Sequence, residues 1–293
     1  MVTQADESPL IVILGATGSG KTALGLDLAL KFKGEIIAAD SRTVYKGMDI
    51  STAKPTSAEQ RRIPHYLLDV VSPNQRFTVA DFKLHANFAI NEIASRGKIP
   101  FMIGGSGLYI DALVYDYKLR PTIVDSSLGE KLSTRSITEL QRYILDSGFR
   151  LPRDSQNPRR LIRTIETGGA TPQKSGLRKD TLLVGLYVNR ETLVQRITAR
   201  VNYMVDAGLV EELSWLADQY GWGVPALQTP GCKAFRHFLE GRIDLEEAKT
   251  LFIRNDMNLA KRQYTWFKRN KDVHWANSGE SAVDLVTTFL NKY

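Results

Sequence analysis

At 293 residues, 43% hydrophobic and 24% charged, the chain can bury a full core in one or two domains, and no apolar run in it approaches the length that spans a bilayer. The polar, acidic stretch from Met1 to Pro9 has the character of neither a signal nor a transit peptide. One cysteine, Cys232, excludes an internal disulfide and four scattered histidines offer no metal-ligand spacing, so a soluble, cytoplasmic protein with no membrane partner is expected. The net charge of +7 is placed unevenly: Arg150 to Arg200 holds eleven Lys/Arg against four Asp/Glu, and Lys261, Arg262, Lys268, Arg269 and Lys271 form a second cluster. Solvated helix faces account for such runs, and so does a polyanion footprint wider than a small nucleotide.

In chain order, the apolar run 10–14 predicts a buried parallel strand, and residues 23–30 a helix. Residues 35–39 predict a strand ending at Asp40-Ser41, and residues 65–70 another. A helix is expected from about 79 to 96, then a strand over 99–103 that runs into Gly104-Gly105-Ser106-Gly107. This alternation predicts an α/β fold, a P-loop NTPase-like parallel sheet flanked by helices, with ligands at the carboxyl ends of the strands. The polar segment 118–148, with residues 136–145 its clearest helix, predicts a small helical insertion between core segments 1–117 and 149–293. Residues 182–188 read as a strand returning to the sheet. Residues 193–207, 211–220 and 245–267 then predict a mainly helical C-terminal part, with Gly208 as a helix stop.

Gly15, Ala16, Thr17, Gly18, Ser19, Gly20, Lys21 and Thr22 spell G-x-x-x-x-G-K-T between the first strand and the first helix. Glycines let successive N–H groups turn inward at a helix N-terminus, Lys21 supplies a point charge, and the Thr22 hydroxyl can reach a bound Mg²⁺. Taken alone the loop fits nucleotide binding, ATP above all. Asp40 closes the next strand beside it and can act as a Mg²⁺ ligand, as a general base, or as a helix N-cap and turn residue. The second glycine-rich turn, 104–107, suits either close approach of a ligand or a tight turn. The strand 99–103 lacks the terminal acid with which P-loop hydrolases hold Mg²⁺ and orient water; Asp69 is the nearest imitation and is read as a decoy.

Together these pieces resemble tRNA dimethylallyltransferases. The resemblance lies in residues 15–22, in Asp40-Ser41-Arg42-Thr43-Val44-Tyr45-Lys46-Gly47-Met48-Asp49-Ile50 with Thr52-Ala53-Lys54-Pro55, and in Gly104-Gly105-Ser106-Gly107-Leu108-Tyr109. It continues in Arg159-Arg160-Leu161-Ile162-Arg163, in Arg196-Ile197-x-x-Arg200-Val201-x-x-Met204 with Gly208-Leu209, and in Ala260-Lys261-Arg262-Gln263-x-Thr265-Trp266. It runs from about Leu10 to Trp266. The phosphate loop is generic; the second and last motifs are specific together.

The resemblance implies transfer of a dimethylallyl group from dimethylallyl diphosphate to N6 of the adenosine just 3′ of a tRNA anticodon, with diphosphate released. It implies Mg²⁺ on Thr22, and Asp40, Thr17 and Arg200 as catalytic residues. The loop Gly15 to Thr22 would then cradle a leaving diphosphate, joined by Arg200 and Arg196 from the opposite side. tRNA contacts are implied for Asp40, Ser41, Arg42, Thr43 and Ser106, for Arg159, Arg160, Leu161, Ile162 and Arg163, for Gln228, Gly231 and Lys233, and for Lys261, Arg262, Gln263, Thr265, Trp266 and Lys268. A monomer is expected. Ser106 stands where the family has threonine, keeping the hydroxyl. Gly231-Cys232-Lys233 replaces Gly-Tyr-Lys/Arg, implying a lost aromatic tRNA contact, and the insertion after Tyr117 is short and lacks the family's Asp-Pro pair. The rivals are an adenylate isopentenyltransferase, a small-molecule P-loop kinase, and a non-catalytic RNA-binding P-loop protein.

Overall fold

A computed structural model describes residues 8–119, 126–170 and 173–293. It divides into two compact units, one made of Met1–Tyr115 and Leu177–Tyr293, the other of Asp116–Gly176.

The larger unit is built on β1 (Leu10–Gly15), α1 (Lys21–Lys31), β2 (Glu35–Ala39), α2 (Ser57–Arg62), β3 (His65–Tyr66), α3 (Val79–Ser95), β4 (Pro100–Gly104) and α4 (Gly107–Val114). All strands run parallel in one six-stranded sheet of order β3-β2-β4-β1-β5-β6, where β5 is Thr181–Leu186 and β6 Val273–Ala276. β1, β2 and β4 are buried on both faces, hence their unbroken apolar sequences. Ile11, Ile13, Phe101 and Ile103 turn to one face and pack against Leu26, Leu28 and Ala29 of α1 and against Ala282 and Val286 of α12 (Gly279–Leu290). The alternate residues Val12 and Met102 point the other way, the face on which α3 packs across β2 and β4. Thr78 and Asp81 form a capping box that fixes the start of α3.

Between the last two strands stand α8 (Arg190–Asp206), α9 (Leu209–Tyr220), α10 (Pro230–Leu239) and α11 (Leu245–Phe267). Gly208 stops α8 as expected, at φ 101°, and α9 begins directly after it. α10 is not among the expected helices; Pro230 occupies its first turn, where no N–H is needed, behind the Thr229 cap. β6 and α12 likewise lie beyond the segments marked by periodicity. β3 is two residues long rather than the expected 65–70, because Leu67 and Asp69 turn to φ 65° and 54° and the Asp69 amide turns to the Thr43 carbonyl.

The smaller unit contains α5 (Ser126–Ser133), α6 (Ile137–Asp146) and α7 (Pro158–Glu166). Its core is Leu132, Leu140, Ile144, Leu161 and Ile165, and an antiparallel bridge joins Lys118 to Gln173 near its ends. The expected boundary 118–148 is therefore too short: α7 supplies Leu161 and Ile165 to this core, which carries the unit on to Gly176.

Candidate active site

Three neighbouring strands, β2, β4 and β1, end side by side, so their C-terminal turns meet: residues 40–43, 104–107 and 15–22. In the last of these, Ser19 N–H bonds to the Ala16 carbonyl at 3.1 Å, and Gly20 sits at φ 89° as the residue before α1, a conformation that costs other residues about 1–2 kcal/mol. The Lys21 side chain folds back over the loop, with Nζ 3.3 Å from the Ala16 carbonyl. Burial pulls its pKa down to about 8; Asp40 opposes that shift, Arg200 adds to it, and Asp256 opposes it. Thr22, exposed, opens the helix beside it.

Thr17, Lys21, Thr22, Asp40, Ser106 and Arg200 share one cavity of about 580 Å³. Asp40 combines two of the roles open to it: its Oδ1 accepts the Arg42 amide at 2.7 Å in a local turn, and its carboxylate still faces the cavity. Ser106 Oγ accepts the Ser41 amide at 3.0 Å, tying the turn 40–43 to the turn 104–107. Buried side-chain oxygens of Thr43 and Ser51, both lining the cavity, have no protein partner, a condition that a bound polar ligand or water relieves.

α8 and α11 close the cavity over these turns. Arg196 Nη1 donates to the Ser19 carbonyl at 3.0 Å and braces the phosphate loop from outside the cavity lining. Arg200, one turn on, lines the cavity; its Nη2 donates to Asp256 Oδ2 at 2.5 Å, while its buried Nε has no partner. Burial pushes the Asp256 carboxyl above its usual range, against the pull of Arg200. Asp256 is a site carboxylate that sequence reasoning missed. Sequence reasoning also missed Phe252, Asn255 and Leu259, which line the same cavity. The signal was present: stepping back from Gln263 and Trp266 by three and four residues reaches 259, 256, 255 and 252, one face of one helix.

The model of the IPP transferase family matches residues 43–270. The chain belongs to the IPP transferase family. It is 43% identical to the tRNA dimethylallyltransferase of Lactococcus lactis subsp. lactis, over 96% of this chain and 98% of that one. Its fold is similar to the full-length tRNA isopentenylpyrophosphate transferase of Bacillus halodurans, at TM-score 0.75 and 32% identity, covering 97% and 96% of the two chains. A eukaryotic dimethylallyltransferase acting on tRNA superposes with TM-score 0.81 at 26% identity, covering 97% of this chain and 80% of that one.

In this IPP transferase the residues expected to touch tRNA divide into groups. Ser41, Arg42, Thr43, Ser106, Gly231, Arg262, Gln263 and Trp266 line the cavity with Asp40. Gln263 is bonded inside the protein, and Trp266 Nε1 donates to Asp111 Oδ2 at 2.9 Å. Lys233, Lys261, Thr265 and Lys268 are exposed outside that lining, and Gln228 donates to the Trp222 carbonyl at 2.6 Å. Arg159, Arg160 and Arg163 are exposed on α7 of the smaller unit, whereas Leu161 is buried in its core and Ile162 packs against that core. Cys232, expected where the resemblance implied a lost aromatic contact, is 1% exposed within a core that includes α8, α9 and α11 residues. Beside it, a Cβ on Gly231 would stand 2.6 Å from the Phe252 ring, which makes glycine a packing requirement there.

The expected decoy is accounted for. Asp69 binds buried Lys54 at 2.5 Å, Asp49 binds the same ammonium at 2.6 Å, and Lys54 also donates to the Tyr45 carbonyl at 3.1 Å. From α9, the Glu212 carboxylate accepts the amides of Asp49, Ile50 and Ser51 at 2.8, 2.6 and 2.9 Å. Glu212 was not legible as a site residue: it stands 163 positions from its first partner.

Proposed function

We infer that the chain is a tRNA dimethylallyltransferase, moving a dimethylallyl group from dimethylallyl diphosphate to N6 of the adenosine 3′ to the anticodon. The observation that carries this reading is a phosphate loop and an unblocked carboxylate, Asp40, in one cavity whose β4 end presents glycines and serine instead of the hydrolase acid. Membership of the IPP transferase family supports it.

The donor diphosphate lies against the N–H groups of Gly18, Gly20, Lys21 and Thr22, with the Lys21 ammonium on one side and the unpaired Nε of Arg200 on the other. N6 attacks the allylic C1, the C1–O bond breaks, and its electron pair leaves on the diphosphate. The proton on N6 passes to the Asp40 carboxylate, held by its turn to Arg42. Among the described residues no group of three or more His, Cys, Asp or Glu could hold a metal. A divalent ion would therefore take Thr22 Oγ1 and the substrate's own phosphate oxygens, a ligand set that suits Mg²⁺. Such an ion neutralises charge on the diphosphate when bound. The adenine must leave the anticodon-loop stack to reach Asp40, at a cost of a few kcal/mol. A monomer is the proposed working form. No helix among the described residues is long and apolar enough to cross a membrane, and a cytoplasmic location goes with the proposed activity on tRNA.

The test is transfer of label from dimethylallyl diphosphate to an anticodon stem-loop with a run of adenosines 3′ to the anticodon, run beside free AMP. Label in the stem-loop is expected. Label in AMP alone would make this an adenylate isopentenyltransferase, and stem-loop binding without transfer would make it a non-catalytic RNA-binding protein.

A further inference from the structure

Gln263 spans two glycine-rich turns that are far apart in the chain. Its Oε1 accepts the Thr17 amide at 2.8 Å, and its Nε2 donates to the Gly105 carbonyl at 2.9 Å. The partners lie 246 and 158 positions from it, so the link between the two turns comes from outside both of them. The fit at Gly105 is tight: a Cβ there would stand 2.5 Å from Gln263 Nε2. One turn along α11, Trp266 lies over Gly107 in the same way, where a Cβ would meet its ring at 2.5 Å. Thr17 N–H, which in a free phosphate loop would be open to an anion, is occupied by the protein, so the cradle begins at Gly18. The pair of bonds needs one acceptor and one donor on a single planar group. The carboxamide supplies both; a carboxylate would set an oxygen against the Gly105 carbonyl and a negative charge beside the diphosphate.

We propose that Gln263 is a positioning residue for the donor: its carboxamide bridge locks Thr17 of the phosphate loop to the Gly105 turn and so presets the diphosphate cradle, in place of a contact with tRNA. This rests on the transferase reading for its consequence in turnover. The bridge itself is read by inorganic diphosphate, whatever the acceptor.

The experiment compares Gln263→Glu and the near-isosteric Gln263→Met in the full chain, measuring the Kd for inorganic diphosphate by calorimetry, the Kd for an anticodon stem-loop, the KM for dimethylallyl diphosphate, and the melting temperature. Diphosphate Kd and donor KM are expected to rise about tenfold in Gln263→Met and further in Gln263→Glu, with stem-loop Kd within about twofold. A stem-loop Kd that weakens while diphosphate Kd stays put would make Gln263 a tRNA contact and overturn the proposal. A lowered melting temperature with unchanged diphosphate Kd would make it a merely structural tie and do the same. Loss of diphosphate affinity in the variants, beside a wild-type chain that never labels the stem-loop, would sustain the bridge and sink the transferase reading.

Discussion

The phosphate loop, residues 15–22, curls largely through its own neighbours: Ser19 bonds to Ala16, Lys21 folds onto Ala16, and the chain turns left-handed at Gly20. The segment after β2, residues 40–55, is held from elsewhere. Ser106 takes the Ser41 amide, Asp69 shares Lys54 with Asp49, and Glu212 gathers three consecutive amides. The first region carries its shape in eight consecutive letters. The second needs β4, α9 and the turn after β3 before Asp40 faces the cavity. Chemistry that repeats across many proteins, anion binding, uses the self-shaped loop. Chemistry peculiar to this reaction, proton removal from an exocyclic amine, uses the segment shaped by the whole fold.

The largest effect is expected at Asp40, and two variants separate its roles. Asp40→Ala removes both the base and the acceptor for the Arg42 amide; Asp40→Asn removes the base and keeps an acceptor oxygen for the turn. General-base removal costs about 10²–10⁴-fold, so single-turnover transfer should fall by that factor in both, with stem-loop Kd unchanged within a few-fold in Asp40→Asn. Retained transfer in Asp40→Asn would show that the turn, and not the carboxylate charge, is what the reaction uses.

Glu212 comes next and tests whether remote support matters. Its carboxylate is the shared acceptor of three amides on a partly exposed edge, and a hydrogen bond to a charged group is worth about 1.5–3 kcal/mol. Because the three bonds act on one segment and water can replace some of them, Glu212→Ala should destabilise by about 2–3 kcal/mol in urea unfolding. In the folded fraction it should raise the stem-loop KM and leave diphosphate Kd alone, the converse of the Gln263 variants. Weakened diphosphate binding in Glu212→Ala would mean the two regions are one cooperative unit.

What could be read from sequence follows the same division. The α/β class, the phosphate loop, and the places of Asp40 and Ser106 came from local patterns: apolar strands, glycine spacing, strand-end residues. The extent of β3 was misjudged because Asp69 is drawn to a lysine fifteen residues upstream. The boundary of the smaller unit was placed too early because Leu161 and Ile165 reveal their partners only once α6 and α7 pack together. The burial of Cys232 was not legible, because the motif gives residue order and not which way a helix faces. Asp256 escaped because it belongs to no motif, though helical spacing back from Gln263 pointed to its face.

The smallest effect is a pH dependence confined to the phosphate loop. Lys21 in the ligand-free protein has a pKa of about 8, below its unfolded value of 10.5 because its ammonium is buried. Bound diphosphate favours the charged form, so binding above pH 8 must take up a proton. Affinity for inorganic diphosphate should therefore fall about tenfold between pH 7 and pH 9, with proton uptake visible as a buffer-dependent binding enthalpy. Stability carries the opposite sign. Between about pH 8 and 10.5 the unfolded chain holds more protons at Lys21 than the folded one, so this group makes the ligand-free protein more stable as pH rises through that window. Lys21→Arg stays charged throughout and should flatten both profiles. Stem-loop affinity depends on the other region and should keep its profile in that variant. A diphosphate affinity that is flat from pH 7 to 9 in the wild-type chain would mean Lys21 stays charged without its ligand, with Asp40 and Asp256 outweighing its burial.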